Sequence, residues 1–419
     1  MIQQMKTILF STLVATSTML ACGSVEIDPQ AAVISNADLA NYISVGSGLT
    51  AGYAAGGLYR EAQLNSYPSI LANQLKTVGT ATFNQPLFDT KQADGSGYLV
   101  VKSLLPLTTA KSEALTGVRS TTPLLFAKYS GANNNFGVPH LKMMDIGKPS
   151  LGNPSKANFN AFFERILTDT DLDKSYIDYV KASKYTFFTC EVGINDVLDY
   201  ALSGGTKTLS PIESFAPNCR QLFAGLTANN AKGLVLNIPN VTAFPAFVRV
   251  ATLGQKNGIF IESNGMVRKA TDSEVILASA ADKIGKKNEK SSNYGLNEAE
   301  PILNTEVLDE TELKKISLSI ADLNAVIGVE AASKNLKVLN INDLYTKLTN
   351  GSLSVNGLAV KGDVSKEGFF SADGVYPTPR GQAVLANEII KSLNEDLTAK
   401  SLPNIPTVDV AKFKSVEVK

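Results

Sequence analysis

Tyr42-Ile43-Ser44-Val45-Gly46-Ser47-Gly48-Leu49-Thr50-Ala51-Gly52-Tyr53 passes from a β-branched apolar run into glycines and small polar residues. That change reads as a buried strand ending in a tight turn. Asn134 to Val138 is a second strand end, and Tyr185 to Val192 is β-branched and aromatic and stops at Gly193. Gly233 to Ile238 is closed by Pro239, and Leu336 to Ile341 is the last clear strand. Helical patterns lie between them. Tyr67 to Leu75 sets Ile70, Leu71 and Leu75 on one side. Leu313, Ile316, Ile320, Leu323 and Ile327 follow i, i+3, i+4 spacing, as do Leu385, Ile389 and Leu393 nearer the end. Buried strands alternating with amphipathic helices imply an α/β fold, a parallel sheet covered on both faces. In such sheets ligands bind beyond the carboxyl ends of the strands, where the glycine-rich turns of this chain fall.

The 419 residues are 44% hydrophobic and 19% charged, with zero formal net charge. No basic face is suggested, which argues against a nucleic-acid partner. No apolar run reaches the roughly 18 to 20 residues needed to span a bilayer. A chain this long holds one large domain with insertions, or two. Thr82 to Ala132 is loop-rich without a strong period, and 248–310 is a second insertion. Its run Lys283-Ile284-Gly285-Lys286-Lys287-Asn288-Glu289-Lys290 reads as a solvated face.

The beginning of the chain reads as a targeting segment. Lys6 supplies a positive flank, Thr7 to Leu20 is mostly apolar, and Met19-Leu20-Ala21-Cys22 follows. This resembles the lipobox of bacterial lipoproteins, and cleavage before Cys22 leaves a cysteine for lipid attachment. The expected organisation is a signal peptide over 1–21, a tether over 22–38, a domain over 39–400 and a tail over 401–419. Lipid at Cys22 implies membrane attachment in the cell envelope, as an outer-membrane lipoprotein either periplasmic or surface-exposed. Cys190 and Cys219 are then left to pair or to stay free, which spacing alone does not decide.

Four blocks occur in order. Val45 to Tyr53 is similar to the first block of the SGNH (GDSL) hydrolase family, which reads Gly-Asp/Asn-Ser-Leu. Phe136-Gly137-Val138-Pro139-His140 is similar to the second, Val192-Gly193-Ile194-Asn195-Asp196-Val197 to the third, and Asp373-Gly374-Val375-Tyr376 to the last, Asp-x-x-His. Flanking phrases resemble a lipoprotein subgroup of Bacteroidetes-type bacteria. The resemblance implies a three-layer α/β/α, flavodoxin-like fold with a five-stranded parallel sheet. It also implies lipase or esterase chemistry on acyl esters, with a serine nucleophile, a histidine base and an oxyanion hole.

Carried over by residue, the nucleophile position holds Gly48, which has no side chain to attack with. The base position holds Tyr376, a poor base with a pKa near 10. Asp373 and the oxyanion asparagine, Asn195, are present, and the oxyanion glycine position holds His140. The resemblance therefore points to a catalytically degenerate member, its Gly48, His140 and Asn195 donors left to bind an acyl ester or carboxylate-bearing ligand, a glycan or a protein partner. A cleft plugged by His140 and Tyr376 is the alternative. An active enzyme with relocated Ser47 and His140 is another, since such sites are recognised by geometry; Ser47 otherwise reads as a turn hydroxyl bonding local backbone. A third alternative is an accessory lipoprotein of an outer-membrane transporter. No cofactor or metal is expected: His140 has no companion ligand, and Asp169, Asp171 and Asp173 lack the glycine and terminal glutamate of a calcium loop.

Overall fold

The computed structural model describes residues 33–419 apart from 81, 113, 256–257 and 287–292. The signal segment and Cys22 lie outside the described residues, as does the second half of the lysine-rich run, 287–290. Five parallel strands form the main sheet: β1 (Tyr42–Gly46), β2 (Asn135–Gly137), β3 (Phe187–Glu191), β4 (Lys232–Leu236) and β5 (Lys337–Leu339). Their order across the sheet is β2-β1-β3-β4-β5. The chain thus steps from β1 to one side and returns to the other, making a switch point at β1 where three carboxyl ends converge. Ile43, Val45, Phe136, Phe187, Phe188 and Leu234 are all buried, as expected of strands covered on both faces.

Eight helices matter for the layers and the site: α1 (Gly48–Ala51), α2 (Tyr67–Leu75), α3 (Tyr176–Lys181), α4 (Ile194–Ala201), α5 (Ile212–Thr227), α6 (Glu310–Ala332), α7 (Ile341–Thr349) and α8 (Pro379–Ala399). Neighbouring residues of a strand point to opposite faces, and β3 shows what covers each. Thr189 shares hydroxyl contacts with Tyr42 and with Tyr67 of α2. Cys190, next in the chain, faces Cys219 of α5. Helix α8 packs on α2, and α6 packs on α5. Helices therefore lie on both faces of the sheet, as the alternating pattern implies. Both cysteines are free and buried. Among the described residues no helix is long and apolar enough to cross a membrane.

The two insertions carry more structure than their composition suggests. Residues 82–132 hold two antiparallel hairpins, Leu99–Leu104 with Leu107–Lys111 and Val118–Thr121 with Leu124–Phe126. Residues 248–310 build a small core of their own from Val250, Ile259, Ile261, Ile276, Ala280, Ile302 and Val307. The expected tail at 401–419 lies against α8, held by two asparagine side chains. Asn394 exchanges two hydrogen bonds with the Ile405 backbone, both 2.8 Å. Asn387 does the same with Val408, at 2.9 and 2.8 Å. Val418 then bridges in parallel to Val101 of the first hairpin.

Candidate functional site

Each of three neighbouring strands delivers one residue to the same end of the sheet. Gly48 follows β1, His140 follows β2 and Asn195 follows β3. The loop before α8 brings Asp373 and Tyr376 to face them. His140, Asn195, Asp373 and Tyr376 line one cleft of about 470 Å³ with Tyr53, Leu198, Asp199 and Lys207 among its other walls.

Tyr376 fills the centre. Its side chain is 5% exposed. A Cβ added to Gly48 would stand 2.8 Å from the Tyr376 hydroxyl oxygen and 2.9 Å from two ring carbons. Residue 48 is thus glycine because a phenol occupies the space of its side chain. The Tyr376 hydroxyl reaches the Asn195 Oδ1 at 3.4 Å, while the Asn195 amide donates to the Leu141 carbonyl at 3.0 Å. Burial, with Tyr53 and Glu191 adding to it, raises the Tyr376 pKa well above its ordinary value. The phenol is a donor here and cannot serve as a base near neutrality.

Asp373 does not engage the side chain at 376. Its Oδ1 accepts from the N–H groups of Val375 (2.8 Å) and Tyr376 (2.9 Å) and from the Ser371 hydroxyl (3.0 Å). Its Oδ2 accepts from the Gly56 N–H at 2.8 Å. Burial pushes its carboxyl upward and these bonds hold it back. Asp373 shapes the loop that presents Tyr376.

His140 has φ of +64°, the left-handed region that favours glycine. The residue is exposed, and its ring stands against Tyr53 and Phe162, with centroids 5.3 and 5.9 Å away. The surrounding protein lowers its pKa, Asp199 raises it and Lys207 lowers it further. Among the described residues its N–H and that of Gly48 make no hydrogen bond.

Ser47 lies beneath the cleft, not in it. It is fully buried, and its hydroxyl donates to both oxygens of the Glu191 carboxylate at 3.0 Å, with its N–H 3.2 Å from Oε2. The Thr50 hydroxyl adds a bond at 3.2 Å. Neither the local-backbone reading of Ser47 nor its pairing with His140 matches this geometry. The hydroxyl turns inward because a carboxylate waits at the end of β3. Sequence reading passed over Glu191; the signal was a lone acid closing an apolar strand. Burial pushes the Glu191 carboxyl up to about 7, its bonds to Ser47 and Thr50 opposing.

Asp196 accepts from the N–H groups of Met143 (2.7 Å) and Met144 (3.3 Å), tying the His140 loop to α4. Asp171 bonds to Lys174, Asp173 to Asn153, and Asp169 to Lys128. Among the described residues no cluster of three or more His, Cys, Asp or Glu side chains is placed to hold a metal ion. Set beside family models, curated proteins and solved structures, the chain matches none of them.

Proposed function

We propose that this protein is a ligand-binding, non-hydrolytic relative of the SGNH esterases, with the three-layer flavodoxin-like fold of that family. Acting from the envelope on a lipid at Cys22, it holds an acyl or carboxylate-bearing ligand in the cleft beside Tyr376. The observation that carries this reading is the packing of Tyr376 against Gly48. The space a nucleophile would use belongs to a buried, protonated phenol, and the nearest serine hydroxyl is spent on Glu191. Losing a nucleophile or base in a triad costs about a millionfold in turnover. The open part of the cleft is walled by Tyr53, Leu198 and Val375, with Lys207 and Asp199 also lining it; its apolar walls and the lysine favour an apolar body with an anionic end.

The test is incubation with a serine-directed fluorophosphonate and with short-chain p-nitrophenyl esters, alongside titration with octanoate followed by thermal shift. The expected result is neither labelling nor turnover above buffer, with octanoate raising the unfolding midpoint. Ser47→Ala then changes nothing in the ester assay. Labelling or turnover that Ser47→Ala abolishes overturns the proposal. An octanoate response that survives Leu198→Glu moves the ligand out of this cleft.

A further inference from the structure

Arg165 is 1% exposed and ranks among the largest fully buried side chains. Its Nε donates to the Ala127 carbonyl at 3.2 Å and its Nη1 to the Pro86 carbonyl at 2.7 Å. The guanidinium carbon stands 4.0 Å from the centre of the Phe88 ring. Among the described residues no carboxylate pairs with it. A guanidinium has five N–H donors and stays charged, and a buried charge without a counter-charge is costly.

The acid beside it in the chain makes no ion pair with it. Glu164 is buried, its Oε1 bonded to Arg119 and, at 2.8 Å, to Lys128, while its Oε2 makes no hydrogen bond. Lys128 also meets Asp169, whose side chain is 91% exposed. Three cations thus share one buried carboxylate and one carboxylate in solvent. Nη2 of Arg165 makes no hydrogen bond within the described chain. Beside Arg165 lies a small, partly open cavity of about 10 Å³, lined also by Gln63, Gln85, Asn135 and Gly137. That is room for about one water-sized particle. Gln63 and Gln85 each spend one amide N–H elsewhere, on the Pro86 carbonyl and the Ser69 hydroxyl, and keep a second.

We propose that this cavity is a binding site for one monoatomic anion, of the size and charge of chloride, held by Arg165 with Gln63 and Gln85. The site joins segments that sequence sets far apart: the helix at Arg60–Leu64, the start of the first insertion, β2 and the turn after Ala161–Glu164. Ala51, the last residue of α1, lines it too. The anion therefore braces the turn carrying Gly48 from behind.

The deciding experiment is diffraction from crystals grown in sodium bromide, at a wavelength where bromine scatters anomalously. The expected result is a peak in the cavity in contact with the Arg165 guanidinium. The companion measurement is the unfolding midpoint in sodium chloride against sodium gluconate at equal ionic strength. Chloride raises it by about 2 °C or more, and Arg165→Met removes the difference. Should Arg165→Met not fold, Gln85→Leu, which keeps the cation, shrinks the chloride effect instead. A cavity with no bromide peak at molar bromide, or peaks on the surface only, overturns the proposal whatever the midpoints do.

Discussion

The hydroxyl oxygen of Tyr376 stands 2.8 Å from the point a Gly48 Cβ would occupy, closer than non-bonded atoms tolerate. The two residues, 328 positions apart by their numbers, are one packing unit. Gly48→Ala is therefore expected to cost about 1–3 kcal/mol through overpacking, although alanine is the better helix former. Tyr376→Ala removes the obstacle and leaves a cavity, at a cost of about 3–5 kcal/mol. The double variant is expected to cost less than the sum by about 1 kcal/mol or more, read from chemical denaturation as a double-mutant cycle. Strict additivity refutes the packing unit.

The same geometry bears on chemistry. Gly48→Ser alone is expected to give no esterase activity, because Tyr376 fills the site. Gly48→Ser combined with Tyr376→His clears the space and supplies an imidazole near Asn195. Hydrolysis of p-nitrophenyl butyrate at least tenfold above the parent is the expected outcome, measured after circular dichroism confirms folding. The placement of Asp373, bonded to the N–H of residue 376 rather than to its side chain, predicts that the restored rate stays well below that of an intact triad.

Two buried carboxyls lower stability as pH rises; Asp373, also raised by burial, acts in the same sense, and His140, whose pKa is lowered, opposes them. Burial raises Glu191 from 4.5 to about 7 and Asp196 from 3.8 to about 6. Between the unfolded and folded values the folded chain holds protons that the unfolded chain has released. Stability is then full at the acid end of the window and falls as pH rises through it, levelling above about 7. Glu191 alone contributes about 3 kcal/mol to that fall. Glu191→Gln is expected to flatten the part of the denaturation-versus-pH curve nearest neutrality. A curve that instead rises from pH 5 to 7 in the parent refutes the assignment.

Cys190 and Cys219 are buried, and burial pushes both thiols upward in pKa. An aqueous disulfide reagent is expected to leave both unmodified in the native protein and to label both in denaturant, by mass spectrometry of their peptides. Rapid native labelling of either would place it at an accessible surface.

Asn387→Ala deletes both bonds to Val408 at once. A cost of about 2 kcal/mol is expected. Limited proteolysis should then cut within 401–419 well before the rest of the chain, whereas the parent resists.

Much of the sheet was readable before its structure was, because strands buried on both faces are written as unbroken apolar runs. Tyr42–Gly46 and the helix at Tyr67–Leu75 fall where patterning puts them, and the other sheet strands lie within their expected stretches or a residue or two off. The hairpins of the first insertion were not readable. Val101 is the one buried residue of its strand, and Thr108 and Thr109 are exposed side by side in the next, so no period of two emerges. The small core of 248–310 is assembled from single apolar residues scattered along the chain, each uninformative by itself. At the site, positions were legible but directions were not. That Ser47 turns inward depends on Glu191, 144 residues away by number. That Tyr376 lies on Gly48 depends on the loop shape set by Asp373.

The contact between residues 48 and 376 also constrains the history open to this chain. Any side chain at 48 meets the phenol, and a smaller residue at 376 alone leaves a cavity behind it. Either first step is costly, so the two positions are free to change only as a pair.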